Sequence, residues 1–165
     1  MEKNFITYKV HEMENKKLGF EVVIRGEKQI MTPEQVLGYY IKKLRTLFEV
    51  AGCAARSSVI TVPSYYSNAE RAAVLDACEI ADMKCTRILN ESTAICLQYG
   101  FFRKKDLDPK VGRKVAFVDY GHSKLTVTFA EFTQEKMKIL GHHSNRNMGA
   151  RQIDQIIMQK MGAQF

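Results

Sequence analysis

Asp119, Gly121, His122 and Ser123 stand together at the end of an apolar run, and no residues of this chain are better suited to chemistry. A tight turn points several backbone N–H groups the same way, so it can cradle a phosphate, and a neighbouring carboxylate can hold the magnesium ion that accompanies one. The same residues also suit an ordinary hairpin turn. Position sets Asp119 apart: it follows the apolar run Val115–Val118, expected as a buried strand, and ligands of α/β sheets bind at the carboxyl ends of strands.

The elements that must position this tip follow from periodicity. Val115, Ala116, Phe117 and Val118 read as a strand, and Leu125, Val127 and Phe129 alternate with Thr126, Thr128 and Ala130 as its hairpin partner. Lys136–Leu140 is expected as a third strand after a turn at Thr133-Gln134-Glu135. Met148-Gly149-Ala150 then opens a helix with Ile153, Ile156 and Ile157 on one face, and the chain is expected to stop inside that element. Upstream, Phe5–Val10, Leu18–Arg25 and Gln29–Met31 read as short strands with a turn at Gly26-Glu27. Thr32-Pro33-Glu34-Gln35 is a helix start, with Thr32 as cap and Gln35 placed to reach back. The stripe Val36, Leu37, Tyr40, Ile41, Leu44, Leu47 and Phe48 predicts a helix ending near Gly52.

Ser58–Val62, apolar on both faces and stopped by Pro63, predicts a buried parallel strand. Ser67-Asn68-Ala69-Glu70 is a capping box for a helix whose small residues, Ala72, Ala73, Ala77 and Ala81 with Ile80, can lie close on a sheet. Cys85–Leu89 is the next strand. Asn90-Glu91-Ser92-Thr93 starts a further helix, ending at Tyr99-Gly100 with the glycine as C-terminal cap. Strand, helix, strand, helix makes a βαβα unit with a right-handed crossover. Arg103–Lys114, polar and containing Pro109 and Gly112, reads as a linker between lobes.

Composition narrows the function classes. With 165 residues, 45% hydrophobic and only 3 prolines, the chain has the make-up of a folded globular protein. The net charge of +7 is spread over Lys16-Lys17, Lys42-Lys43 and Arg103-Lys104-Lys105 without interleaved aromatics, which argues against specific nucleic-acid binding and for solvated faces. No apolar stretch approaches the roughly 20 residues of a membrane span, and the N-terminus lacks a signal-peptide core, so a cytoplasmic protein with no membrane partner is expected. Cys53, Cys78, Cys85 and Cys96 show no zinc spacing and read as reduced, half-buried thiols.

Several stretches together resemble the ATPase domain of the seventy-kilodalton heat-shock superfamily. They are Val59-Ile60-Thr61-Val62-Pro63-Ser64-Tyr65-Tyr66, Asn68-Ala69-Glu70-Arg71, Arg87-Ile88-Leu89-Asn90-Glu91-Ser92-Thr93-Ala94 with Tyr99-Gly100, and Val118-Asp119-Tyr120-Gly121. The Gly121-His122-Ser123 form, with Ala69-Glu70-Arg71, is similar to the hundred-and-ten-kilodalton branch, whose members act mainly as nucleotide-exchange factors and holdases. The resemblance implies an α/β fold, part of a two-lobed actin-like (ribonuclease-H-like) ATPase. Residues 1–102 would be the C-terminal part of lobe I, 103–114 the linker and 115–165 the start of lobe II.

The same resemblance implies residue roles. Asp119, Gly121, His122 and Ser123 would form the second phosphate loop for ATP or ADP, and Asp119 and Glu91 would neighbour the waters of magnesium. Pro63 and Arg71 would belong to the relay that reports nucleotide state. From the residues alone, Glu91 equally suits the start of a helix, Pro63 the end of a strand, and Arg71 a surface charge. Implied partners are the ATPase domain of a shorter heat-shock chaperone and unfolded clients.

Family ATPases have a threonine where Lys124 stands and an aspartate where Thr126 stands, and Met148-Gly149-Ala150-Arg151-Gln152 replaces a Leu-Gly-Gly loop. The family's first phosphate loop, catalytic lysine and adenosine pocket lie outside the matched stretches. Phosphoryl transfer needs several preorganised charges around the nucleotide, so this chain alone is expected not to hydrolyse ATP and to bind it weakly. A divergent chaperone ATPase and an actin-fold scaffold without nucleotide remain the alternatives.

Overall fold

Two capping boxes and two antiparallel sheets decide where the elements begin and end. In the computed structural model, which describes residues 6–14, 17–53 and 57–162, the chain forms two compact units. The first runs to Ile60 and resumes over Tyr66–Ile88, and the second takes Thr61–Tyr65 and everything from Leu89 onward.

In the first unit, β1 (Val10–Glu12), β2 (Leu18–Ile24) and β3 (Glu27–Met31) form an antiparallel sheet in that order, with Phe20 in register with both Val10 and Met31. Arg25 and Gly26 join β2 to β3 at φ of 54° and 87°, the left-handed pair whose twist suits a two-residue hairpin. At the start of α1 (Pro33–Val50), the Gln35 N–H donates to Thr32 Oγ1 at 3.3 Å and the Thr32 N–H to Gln35 Oε1 at 3.0 Å. Ser67 and Glu70 exchange the same pair of bonds, at 3.3 and 2.7 Å, to open α2 (Asn68–Ile80). Each box satisfies two donors that a helix end leaves over.

The helices α1 and α2 pack against each other through small residues. A Cβ on Gly38 would lie 2.9 Å from Ile80 Cβ and 3.1 Å from the Ala77 carbonyl, so the approach depends on glycine. Around it Ile41, Ala77, Cys78, Ala81 and Met83 form a buried cluster, joined by Leu37, Ile60 and Cys85. The last two lie on β4 (Ser57–Val62) and β5 (Lys84–Asn90), which pair as a two-stranded sheet.

The second unit contains α3 (Glu91–Arg103), a 3-10 turn over Lys104–Asp106, β6 (Arg113–Tyr120), β7 (Leu125–Phe132), β8 (Met137–Asn145) and α4 (Ala150–Gly162). Its three strands are antiparallel in the order β6-β7-β8, with a bulge between Phe129 and Ala130. Cys96, Leu107, Ala130 and Phe132 form the core, packed by Tyr99, Val115, Phe117 and Met137. The rings of Tyr99, Phe117 and Phe132 meet mutually at 5.0–6.0 Å between centroids in tilted and edge-on arrangements.

Several expectations change. The first strand is Val10–Glu12: the Glu21 N–H still donates to Lys9 O, but Tyr8 leaves the ladder and stacks edge-on against Phe20. Phe5, Lys16 and Phe165 lie outside the described residues. Rather than being covered on both faces, β4 leaves Val59 56% exposed. The small face of α2 meets α1 at Gly38 as well as the strands. Gly100 does not end its helix, because α3 continues to Arg103 and uses the missing Cβ to take the Phe132 ring, whose atoms would stand 3.3 Å from one. Cys53 is exposed, whereas Cys78 and Cys96 are buried. Arg103–Lys114 contains the 3-10 turn, buried Leu107 and an Asp108 carboxylate that accepts from the N–H groups of Lys110 and Val111, both at 2.7 Å. Among the described residues no helix is long and apolar enough to cross a membrane.

Candidate functional site

Alternation along β6 places Val115, Phe117 and Asp119 on one face. The first two belong to the core, so the aromatic packing fixes the backbone that carries the Asp119 carboxylate. Asp119 lies opposite Thr126 in the ladder and Tyr120 opposite Leu125, leaving Gly121–Lys124 as the turn. The Gly121 N–H donates to the Lys124 carbonyl at 2.9 Å, closing that turn.

The tip is also fastened from outside. Its Gly121 and His122 carbonyls accept from the N–H groups of Ala150 and Arg151, both at 3.0 Å. They therefore satisfy two of the amides that the first turn of α4 leaves over. The contact is so close that a Cβ on Gly149 would run into the His122 carbonyl, and the Gly149 N–H donates to Gln152 Oε1 at 2.7 Å. His122 and Ser123 remain exposed at the end of the turn.

Beneath the tip, the Lys124 ammonium is ion-paired with Glu91, the first residue of α3. The side chains are 16% and 33% exposed, so the pair is partly withdrawn from water, and burial pushes the Lys124 ammonium below its ordinary pKa. Glu91, Ser92, Phe117, Asp119, Thr126 and Ser64 line part of a small cavity of about 10 Å³, room for about one water molecule. At its side Ser144 Oγ stands 3.1 Å from Ser64 Oγ and 3.0 Å from Thr126 Oγ1. This hydroxyl chain surrounds the position where family ATPases have an aspartate.

The structure thus brings Asp119 and Glu91 to one cavity and puts Gly121, His122 and Ser123 at the turn just beyond it. Pro63 follows β4, on the same stretch as Ser64. Arg71 lies in the first unit, where its Nε–H donates to the Tyr66 carbonyl at 3.1 Å. Sequence reasoning noted Lys124 as a departure but not as the partner of Glu91, because their separation of 33 positions is bridged only in three dimensions. Ser64 was noted only as part of a family-like stretch, and Ser144 carried no signal beyond being a hydroxyl near a strand end.

A magnesium ion would find this donor set partly engaged. The cavity has two carboxylates, one of them held by an ammonium, and the described residues contain no group of three His, Cys, Asp or Glu side chains placed to hold a metal. Magnesium uses one or two carboxylates with waters and substrate phosphates.

All of the chain, residues 1–165, matches the family model described as Hsp70 protein. The chain is 36% identical over 162 residues to the 97 kDa heat shock protein of Mesocentrotus franciscanus, covering 97% of this chain and 18% of that protein. It is 33% identical over 167 residues to the Heat shock 70 kDa protein 4 of Homo sapiens, 99% of this chain and 20% of that protein. With the Heat shock 70 kDa protein 14 of Arabidopsis thaliana it shares 36% identity over 141 residues, 85% of this chain and 17% of the other. The chain therefore spans about a fifth of the length of these relatives. Motifs and relatives agree: this chain belongs to the Hsp70 protein family, with its actin-like ATPase fold, on the hundred-and-ten-kilodalton side of that family.

Proposed function

We propose that this chain is a segment of a cytoplasmic chaperone that serves as nucleotide-exchange factor or holdase for a shorter heat-shock chaperone, and that Asp119, Gly121, His122 and Ser123 form the phosphate side of its own nucleotide pocket. ATP or ADP held there is a structural ligand and is not hydrolysed. The observation that carries this reading is the fastened tip. Gly121 and His122 are tied by their carbonyls to α4, and Lys124 is tied to Glu91, so the turn is held as a fixed surface with His122 and Ser123 outward. A preorganised turn binds an anion without an ordering cost. Two substitutions disfavour hydrolysis: Lys124 engages the acid that would steer metal waters, and the Thr126 hydroxyl joins Ser144 where a carboxylate would stand.

Pro63 and Arg71 take the relay role in this proposal, the first rigid at the end of β4 and the second fixed to the Tyr66 carbonyl. In this reading residues 103–114, which lie within the second compact unit, are the linker from lobe I to lobe II. The partners are the ATPase domain of the shorter chaperone and unfolded clients.

The test is release of fluorescent ADP from a purified seventy-kilodalton chaperone, followed by stopped flow with and without the protein that carries this chain. Faster release in proportion to added protein is expected. Unchanged release at every ratio, while an unrelated exchange factor accelerates it, overturns the exchange role. Steady-state hydrolysis checks the other half: magnesium-dependent turnover abolished by Asp119→Asn would make the segment part of an ATPase instead.

A further inference from the structure

We propose that Lys124 is the built-in cation of this site: its ammonium, paired with Glu91 beside Asp119, occupies the electrostatic place of a divalent ion and keeps such an ion out. Three observations carry it. Both carboxylates line one cavity with room for about one water, too little for a hydrated divalent ion, and Glu91 is already held by the Lys124 ammonium. The Lys124 side chain is only 16% exposed and comes from a turn whose backbone is fastened to α4, so the ammonium is delivered to Glu91 by a rigid support. Thr126, opposite Asp119 in the ladder, contributes a hydroxyl already in contact with Ser144, so the neighbouring strand adds no further negative charge to draw an ion past Lys124.

The charge balance follows directly. Glu91 and Asp119 carry two negative charges and Lys124 returns one, so the site attracts a divalent ion less strongly than two free carboxylates would. A fixed ammonium also differs from a metal in chemistry. It is a point charge with three donors and no open coordination position, so it can neutralise a carboxylate but cannot polarise a bound water as a metal does.

The inference borrows from the proposed function only the choice of site, and it is tested with the metal alone. Manganese, a paramagnetic stand-in for magnesium, is titrated into the wild-type protein and into Lys124→Met, Lys124→Arg and Lys124→Met/Glu91→Gln, with free ion read by electron paramagnetic resonance. Wild type and Lys124→Arg are expected to bind no better than their scattered surface carboxylates allow. Lys124→Met is expected to gain about tenfold or more in affinity for one ion, since a nearby positive charge has gone, and the double variant to lose that gain. Equal affinity in wild type and Lys124→Met, or a gain that survives Glu91→Gln, overturns the proposal.

If Lys124→Met fails to fold, thermal unfolding of the wild type with added magnesium decides. No shift in Tm is expected, and a rise that Glu91→Gln removes would show that the metal reaches Glu91 despite Lys124. Because no nucleotide is present, a negative result here leaves the exchange and phosphate-binding reading standing.

Discussion

In the first unit α1 and α2 approach where Gly38 faces Ile80 and the Ala77 carbonyl, and the core around them is made of small and medium side chains. In the second unit α3 meets its sheet through Tyr99, Phe117 and Phe132, with Gly100 lying under the Phe132 ring. One unit gains contact by bringing backbones together, the other by filling a wider space with rings. The difference bears on function, because only the aromatic core continues into the candidate site: Phe117 belongs to the ring cluster and also lines the cavity with Asp119. Site geometry in the second unit is therefore tied to core packing, whereas the first unit can be altered without moving Asp119 within its own unit.

The largest expected effect comes from Phe132→Ala. The residue is 1% exposed and touches both other rings, so its loss should cost about 3–5 kcal/mol of stability by transfer and cavity terms. Urea unfolding followed by tyrosine fluorescence, which reports Tyr99 among others, should show the loss. A change within about 0.5 kcal/mol would mean that the rings are not a cooperative core and would remove the link between core and site.

Gly38→Ala sharpens the comparison from the other side. Alanine favours a helix over glycine by about 0.5–1 kcal/mol, yet the added methyl would stand 2.9 Å from Ile80 Cβ and 3.1 Å from a backbone carbonyl. Overpacking of this kind costs about 1–3 kcal/mol, so a net loss of about 1 kcal/mol is expected in the same urea experiment. A stabilised variant would show that α1 and α2 are not held at the observed distance.

Local elements were more legible in the chain than the contacts between them. Thr32 with Gln35 and Ser67 with Glu70 declared two helix starts, because a capping box is written within four residues. The hairpin around Asp119 was equally readable from its alternation, and the motif resemblance led to the family that the whole-chain match supports. Gly100 misled because glycine is ambiguous: it suits a helix end and also a helix face beneath a ring, and only Phe132, far along the chain, decides between them. Val59 misled because strand residues apolar on both faces imply burial on both, which β4 does not have here. The Lys124–Glu91 pair was invisible for the same reason as the Ser64–Ser144 contact, since no local pattern encodes a meeting of distant residues.

The smallest expected effect compares the buried thiols of the two cores, Cys78 in the first unit and Cys96 in the second, with exposed Cys53 as the internal standard. Burial, with the neighbouring Cys85 adding to it, pushes the Cys78 thiol up to about 11, and burial raises Cys96 too. An acid whose folded pKa is raised holds its proton more tightly in the native state than in the unfolded one. Its contribution to stability is therefore complete below the ordinary thiol value and falls as pH climbs from there through about 11. Iodoacetamide labelling read by mass spectrometry should modify exposed Cys53 first, while Cys78 and Cys96 wait for their units to open. Because the first core lacks the ring cluster, Cys78 should be labelled before Cys96, and Phe132→Ala should reverse that order by loosening the unit around Cys96 alone. Simultaneous labelling of both thiols in wild type and variant would instead show that the two units open as one.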